Sequence, residues 1–283
     1  MSPVAAVAAA LVLTAPAPLG ASTAAQAESP PPVGYVALGD SFSSGAGIAP
    51  NGSLGDCLRS EVNYPHLVAA AVRATTFRDV TCSGATTANL SDRQLPQTAP
   101  QFDALSPDTT LVTVGIGAND IGLVSLTTEC LNVAPPPLGR SCAATTDTAA
   151  YAERIDGLAP TYVGIVEEIR RRAPDARIVL VGYPDAIRPG GCPGVQPIWP
   201  VDADHVQGLI TRLNTVAATA ASTAGATFVD LEPSTRGHDA CAAPADRWIV
   251  GAVPTSLTAP IPLHPNAAGH ANAATQVIAA VTR

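Results

Sequence analysis

The chain contains no lysine, so all 15 of its basic residues are arginines. This absence excludes a P-loop lysine, an internal Schiff base and the lysine of an S-x-x-K nucleophile motif. Positive charge is also scarce, because 23 acidic residues give a formal net charge of -8 and a pI near 5.0. The basic surface typical of nucleic-acid-binding proteins is therefore excluded, and we expect no nucleic-acid partner.

Charged residues make up only 13% of the 283 residues and aromatic residues 4%, whereas hydrophobic residues make up 47% and the mean hydropathy is +0.23. This apolar content is enough for one sizeable core and excludes disorder for most of the chain. No internal repeat, charge block or linker marks a second domain. We therefore predict one domain over residues 28–283.

The N-terminal segment carries no basic residue, since the first one in the chain is Arg59. Residues 3–27 are uncharged, rich in Ala, Val and Leu, and end in Ala25-Gln26-Ala27, a small-x-small pattern typical of a secretory cleavage site. The unbroken apolar run over residues 4–13 is too short to span a bilayer. We predict that residues 1–27 are a signal peptide, although its positive n-region is missing, and that the protein is extracellular without a stable membrane anchor.

The cysteines contain no C-x-x-C pair, which excludes a zinc ribbon and a thioredoxin-type redox motif. An even number of cysteines after a signal peptide predicts three disulfides, each worth about 2–4 kcal/mol of stability. Several connectivities are possible, and pairing neighbours along the chain closes the shortest loops. The six residues are Cys57, Cys82, Cys130, Cys142, Cys192 and Cys241.

Short apolar runs alternate with longer segments of helical periodicity. The runs span residues 33–39, 77–82, 110–115, 177–182 and 226–231, and the helical segments span residues 64–73, 151–172, 203–224 and 266–283. Alternating strands and helices imply right-handed crossovers between parallel strands. We predict a three-layer α/β/α sandwich with a central parallel sheet of about five strands in the flavodoxin-like order.

In such a sheet, reacting groups collect at the carboxyl ends of the strands. The first strand is followed by Gly39-Asp40-Ser41-Phe42-Ser43, which places Ser41 at a strand-to-helix turn. The pattern is not G-x-S-x-G, because Ser43 stands in the place of the second glycine, so the α/β-hydrolase elbow is excluded. Taken alone, Ser41 fits a helix N-cap as well as a nucleophile.

Three more blocks follow later strands: Cys82-Ser83-Gly84-Ala85, Gly117-Ala118-Asn119-Asp120 and Pro262-Leu263-His264-Pro265-Asn266. Together with Gly-Asp-Ser, this set resembles the four blocks of the SGNH, or GDSL-type, hydrolases. The resemblance implies a serine carboxylester hydrolase that uses neither a metal nor another cofactor. It assigns Ser41 as the nucleophile, His264 as the general base, and the Ser41 N–H, the Gly84 N–H and the Asn119 side chain as an oxyanion hole.

The cysteine spacing, the Gly-His-Asp-Ala-Cys stretch that ends at Cys241 and the later Trp248 resemble the secreted actinobacterial lipases and esterases of this family. That resemblance implies disulfides between consecutive cysteines. The assigned chemistry is consistent, because an imidazole with a pKa near 6.5 can take a proton from a serine hydroxyl near neutral pH.

One position departs from the family pattern. The residue three before His264, where most members carry an aspartate, is Ile261. Our first hypothesis is a Ser41–His264 dyad whose imidazole is oriented by a backbone carbonyl near Ile261. The alternative is a displaced acid, namely Asp230, Glu232 or Asp239.

Other residues near the motifs are expected to have structural roles. Asn266 should cap the last helix, and Asp40 and Asp120 should organise loops by accepting backbone N–H groups. The remaining histidines, His66, His205, His238 and His270, are expected to be structural or exposed to solvent. Trp199 and Trp248 are interpreted as walls of an acyl pocket or as ordinary core and rim residues.

The predicted protein is a secreted monomer that hydrolyses lipid or other acyl esters. A phospholipase and a polysaccharide O-acetylesterase are alternatives with the same chemistry. A non-catalytic extracellular binding module, or an α/β binding protein whose Gly-Asp-Ser only caps a helix, would make no covalent bond at Ser41.

Overall fold

The computed structural model describes residues 1, 3, 32–50, 57–253 and 261–282. The chain separates into a segment, Met1–Pro31, and a compact unit, Pro32–Arg283. Apart from residues 1 and 3, the predicted signal peptide lies outside the described residues. The compact unit therefore carries the fold and the site described below.

A five-stranded parallel sheet forms the centre of the compact unit. Its strands are β1 (Gly34–Gly39), β2 (Thr76–Asp79), β3 (Leu111–Gly115), β4 (Arg177–Val181) and β5 (Thr227–Val229). The strands lie in the order β2-β1-β3-β4-β5, and each neighbouring pair is parallel. This is the flavodoxin-like order, so the predicted α/β/α fold is confirmed.

Helices cover both faces of the sheet. They are α1 (Ser41–Ser44), α2 (Tyr64–Ala71), α3 (Leu123–Glu129), α4 (Thr148–Asp156), α5 (Leu158–Arg172), α6 (Pro200–Thr223), α7 (Glu232–Thr235) and α8 (Ala267–Val281). Alternate β1 side chains enter two separate cores: Val36 and Leu38 pack with the α5 and α6 side, whereas Tyr35 and Ala37 pack with α2 and α8. Such a strand is buried on both faces, which explains its continuous apolar run.

The predicted apolar face of α5 is confirmed, since Tyr162, Ile165, Val166 and Ile169 are all buried. However, the single helix predicted over residues 151–172 is wrong. The structure has two helices there, because Pro160 has no N–H to donate to the carbonyl four residues earlier and its ring clashes with that carbonyl. The predicted second strand is also too long, since β2 ends at Asp79.

The structure contains three disulfides between consecutive cysteines. The pairs are Cys57–Cys82, Cys130–Cys142 and Cys192–Cys241. The first pair joins the loop after β2 to the loop after α1, so it lies beside the carboxyl ends of the central strands. Among the described residues, no helix has the length and apolarity needed to cross a membrane.

Candidate active site

Ser41 begins α1 directly after the central strand β1. The backbone between them turns sharply at Gly39, whose φ is +149°, and a Cβ at this position would lie 2.5 Å from the Gly115 carbonyl oxygen. Asp40 caps α1, because its carboxylate accepts the Phe42 N–H at 2.9 Å. The sequence interpretation of Ser41 as the cap is therefore wrong, and the Ser41 hydroxyl has another partner.

That partner is His264, which comes from the segment before α8. The Ser41 Oγ lies 2.8 Å from His264 Nε2, and His264 Nδ1 lies 2.8 Å from the Pro262 carbonyl oxygen. A carbonyl can only accept, so Nδ1 carries the proton and Nε2 is left to accept the Ser41 O–H. The structure thus has a backbone carbonyl in the position of the triad acid, one residue after Ile261.

The three alternative acids are engaged elsewhere. Asp230 accepts a backbone N–H at the start of α7, Glu232 accepts hydrogen bonds from α6 side chains, and Asp239 forms an ion pair with an arginine. Within the described part of the chain, none of them forms a hydrogen bond or an ion pair with His264. The geometry therefore agrees with the hypothesis of a backbone carbonyl and not with that of a displaced acid.

Burial sets the protonation state of His264. The side chain is enclosed, and loss of solvation lowers its pKa to about 4, while the hydrogen bond to the Pro262 carbonyl acts in the opposite direction. The ring of Phe42 packs on the imidazole with 4.4 Å between the ring centroids. The imidazole is therefore neutral at neutral pH, the state that can accept a proton.

The other two predicted donors lie on the loops after β2 and β3. Gly84 has a φ of +80°, which favours glycine, and Asn119 Nδ2 donates to the Ala85 carbonyl oxygen at 2.9 Å, so the two loops are joined. The loop of Gly84 is also tied to β1, since the Cys82 N–H donates to the Gly39 carbonyl at 2.9 Å. Within the described residues, the second N–H of the Asn119 amide has no hydrogen-bond partner.

Two backbone N–H groups at the site are also available. Among residues 32–50, 57–253 and 261–282, the N–H groups of Ser41 and Gly84 have no hydrogen-bond partner. The Ser41 N–H stands at the first position of α1, where no intrahelical acceptor exists. Unpaired N–H groups can bind a developing negative charge.

A buried hydrogen-bonded bridge connects the Ser41 loop with the Asn119 loop. The Tyr183 hydroxyl donates to Asp40 Oδ2 at 2.5 Å and accepts the Ala118 N–H at 2.9 Å. Burial raises the pKa of Asp40 to about 7, while the hydrogen bonds from Tyr183 and Phe42 oppose that increase. Sequence reasoning predicted the loop-organising role of Asp40 but not the bridging role of Tyr183.

Removing this bridge should destabilise the protein. Tyr183→Phe leaves the Asp40 carboxylate oxygen and the Ala118 N–H without a buried partner, so we expect the free energy of unfolding to fall by about 1–3 kcal/mol. Urea denaturation measures this change. Tyr151→Phe, at a half-buried position on α4, is the matched control and should change stability by less than about 0.5 kcal/mol. Equal stability of the two variants would contradict the bridging role.

An apolar pocket opens next to His264. The pocket has a volume of about 190 Å³. Its walls come from α1, α3, α6, the loop after β4 and the segment before α8. They are formed by Phe42, Leu123, Val124, Thr127, Thr128, Leu131, Ala186, Val206, Ile210, Ala252, Ile261, Pro262, Leu263 and His264. Most of these side chains are aliphatic, so the pocket suits a hydrocarbon chain.

The interpretation of the tryptophans as pocket walls is wrong. The Trp199 indole N–H donates to the Ala134 carbonyl in a different groove, and Trp248 stacks on His238 with 3.6 Å between the ring centroids. Helix α3 provides the wall instead, although sequence reasoning did not predict this helix. The apolar run Leu123-Val124-Ser125-Leu126 was the available signal.

The expected structural residues have the predicted contacts. Asn266 caps α8 by accepting two N–H groups, and Asp120 accepts the N–H and the hydroxyl of Thr87. His270 is buried and accepts the Tyr64 N–H at 3.1 Å. Within the described residues, no group of three or more acidic, histidine or cysteine side chains is arranged to hold a metal ion.

Comparison with known proteins identifies the family. A family model described as GDSL-like lipase/acylhydrolase matches residues 37–271. The chain belongs to this family. This GDSL-like lipase/acylhydrolase is 38% identical over 257 residues to Lipase 2 of Streptomyces coelicolor, covering 87% of this chain and 85% of the relative.

Two solved structures resemble this GDSL-like acylhydrolase over 89% of its chain and all of theirs. Phospholipase A1 from Streptomyces albidoflavus matches with a TM-score of 0.74 and 28% identity, and an extracellular lipase from Streptomyces rimosus matches with 0.73 and 29%. The family and these relatives establish the reaction class predicted from the sequence. The GDSL-like acylhydrolase is a serine ester hydrolase, and its substrates are esters.

Proposed function

We propose that this ester hydrolase is a secreted lipase in which Ser41 is the nucleophile and His264 is the general base. The observation that carries the proposal is the 2.8 Å hydrogen bond from the Ser41 hydroxyl to the free ring nitrogen of His264. A neutral, buried imidazole at that distance can remove the hydroxyl proton as Oγ attacks the ester carbonyl. The Pro262 carbonyl orients the ring and stabilises the imidazolium that forms.

Attack of Ser41 Oγ on the ester produces a tetrahedral intermediate with a negatively charged oxygen. In this proposal the intermediate accepts hydrogen bonds from the Ser41 N–H, the Gly84 N–H and Asn119 Nδ2. The imidazolium then gives its proton to the leaving alcohol as the ester C–O bond breaks, which leaves an acyl group on Ser41. Water, deprotonated by the same imidazole, then attacks the acyl carbon; the bond to Ser41 Oγ breaks, the imidazolium returns the proton to Oγ, and the carboxylic acid is released.

The apolar pocket supports a fatty-acyl substrate. Its lining includes His264 and Pro262, so it lies beside the proposed base, and it continues between aliphatic side chains of α3 and α6. A sugar acetate would bury only one methyl group there and would leave most of the apolar wall without a partner. The names lipase and phospholipase A1 of the relatives agree with this substrate class.

Secretion is part of the proposal. Its support is the uncharged N-terminal segment that ends in Ala25-Gln26-Ala27, together with the three disulfides of the compact unit, which persist in oxidising compartments. We propose cleavage after Ala27, so that the secreted chain is the single domain over residues 28–283. We also propose that it acts as a monomer.

The proposed substrate class is tested with p-nitrophenyl esters from acetate to palmitate. We expect kcat/KM to rise from acetate to medium and long chains, because each further methylene that the pocket buries contributes about 0.8 kcal/mol. Activity confined to acetate would contradict the lipase assignment and favour an O-acetylesterase. No activity on any ester by the folded, disulfide-bonded protein would contradict the proposed function altogether.

Loss of the proposed side-chain oxyanion donor should lower turnover. Asn119→Ala is expected to reduce kcat by about 10²–10³-fold, because one donor to the charged intermediate is lost. KM should change less than kcat, since the contribution is made in the transition state. Asn119→Asp keeps the side-chain shape without its N–H groups and should be at least as inactive. Steady-state kinetics with near-native activity of both variants would exclude Asn119 from the oxyanion hole.

The decrease of kcat/KM at acidic pH should follow the pKa of the buried His264 side chain. Because burial lowers the pKa of His264 to about 4, the base stays neutral until the pH falls through that value. We expect kcat/KM to remain near its maximum down to about pH 5 and to be halved near pH 4, whereas an ordinary histidine would lose half of the activity near pH 6.5. Re-assay at pH 7 after exposure to acid controls for unfolding.

A further inference from the structure

Exposed apolar side chains are concentrated on one part of the surface. Apart from Met1, every large hydrophobic residue that is exposed in the described chain lies in residues 124–138, in residues 195–201 or at Val253. The most exposed are Val133 at 94%, Leu138 at 79% and Val253 at 61%. Single exposed aliphatic residues are common, but a concentration of this kind marks a binding surface.

Hydrogen bonds join the three segments into one surface. The Asn132 N–H donates to the Pro197 carbonyl at 2.7 Å, and the Ala252 N–H donates to the Gln196 side chain at 2.8 Å. Val133, Val195 and Val253 border one open groove of about 630 Å³. We call Leu131, Val133, Leu138, Val195 and Val253 the apolar face.

The apolar face carries no charge of its own. Residues 130–139, 192–201 and 248–253 contain no Asp, Glu, Lys or Arg, in a chain whose formal net charge is -8. Charged residues begin only at the ends of these segments, at Glu129, Arg140, Asp202 and Arg247. The hydrocarbon of a lipid layer accepts uncharged side chains, while charges at the edge of the face stay in water. The uncharged centre of the face therefore suits a lipid layer, and the net charge of the chain favours a layer without net negative charge.

The apolar face is continuous with the pocket beside His264. Leu131 belongs to the face and also lines the pocket, and Ala252, another pocket residue, directly precedes Val253. An acyl chain that leaves a lipid layer beneath this face therefore passes onto apolar side chains before it reaches Ser41. A second copy of the chain bound to the same face would instead cover this route to the pocket.

We propose that the apolar face docks on the surface of a neutral or zwitterionic lipid aggregate and delivers acyl chains to the pocket. This inference rests on the proposed lipase function, because it explains how that site meets a substrate that is not dissolved. The contact is a reversible adsorption of exposed aliphatic side chains into the lipid layer, which needs no membrane-spanning helix.

Binding is measured separately from catalysis in the Ser41→Ala protein. We expect the Ser41→Ala protein to co-sediment with phosphatidylcholine vesicles. A triple serine variant in the same protein, Val133→Ser with Leu138→Ser and Val253→Ser, should partition to the vesicles about 10-fold or more weakly. Val133→Ile with Leu138→Ile is the apolar control and should bind like the Ser41→Ala parent. Equal binding of the serine and isoleucine variants would overturn the proposal.

Kinetics of the catalytically intact variants complete the test. The triple serine variant should hydrolyse dissolved p-nitrophenyl acetate within about twofold of wild type but emulsified triglyceride about 10-fold or more slowly. An equal loss on both substrates would indicate a folding defect and overturn the docking role. A wild-type dimer that the substitutions dissociate without changing vesicle binding would show that the face binds a second copy. If wild type hydrolyses no ester, the proposed function fails, and vesicle binding still tests the face by itself.

Discussion

Replacing Ser41 by alanine should reduce kcat/KM for every ester by at least about 10⁴-fold, to the rate of attack by solvent water in the remaining site. The reason is geometric, because Ser41 Oγ is held 2.8 Å from the free nitrogen of His264 at the end of the central strand. Rates with a p-nitrophenyl ester measure the loss, and circular dichroism confirms that the variant is folded.

A neighbouring serine provides the matched control. The Ser44 hydroxyl is also buried in α1 but donates to the Ser41 carbonyl oxygen at 3.4 Å, so it has no contact with a base. Ser44→Ala should keep kcat/KM within about tenfold of wild type, since it loses one weak hydrogen bond. Substantial turnover by Ser41→Ala, or an equal loss in both variants, would show that Ser41 is not the nucleophile.

Replacing His264 by glutamine should reduce kcat by at least about 10³-fold, because the Ser41 hydroxyl then has no base of suitable pKa. The residual rate of His264→Gln should rise with pH, since hydroxide replaces the missing base. The same variant should keep a folded structure, as its side chain can still fill much of the space below Phe42.

The alternative acids provide the comparison for His264. Glu232→Gln and Asp239→Asn should each change kcat by less than about tenfold, because Glu232 accepts hydrogen bonds from α6 side chains and Asp239 pairs with an arginine, and neither carboxylate bonds to the imidazole among the described residues. Urea denaturation should show their effect on stability instead. A loss of kcat in either variant as large as that of His264→Gln would mean that a carboxylate, and not the Pro262 carbonyl, supports the base.

Much of the fold could be predicted from the sequence because parallel strands buried on both faces have continuous apolar runs. The run that contains β1 ends at Gly39, directly before Asp40, and the strand ends there in the structure. Helix ends were less predictable. Pro160 separates α4 from α5, because it cannot donate to the carbonyl at the end of α4. Proline is nevertheless tolerated in the first turn of a helix, so the sequence around Pro160 does not show where one helix ends and the next begins.

Some parts of the candidate site could likewise be predicted from the sequence, and others could not. The residues with motif signatures, such as Ser41 and His264, are brought together as expected. The Pro262 carbonyl could not be identified by residue type, because every residue has a carbonyl and only the backbone path before α8 selects this one. Tyr183 and the α3 wall of the pocket were missed for the same reason, since buried tyrosines and short apolar stretches also occur in ordinary cores.

The central claim is that the His264 imidazole activates the Ser41 hydroxyl, and covalent labelling tests it most directly. Wild-type protein is treated with a fluorophosphonate at neutral pH, and peptide mass spectrometry locates the adduct. We expect one phosphonyl group on Ser41 in wild type and labelling of His264→Gln that is slower by at least about 10³-fold. An adduct on another residue such as Ser43 or Ser44, or equally fast labelling without the imidazole, would contradict the account.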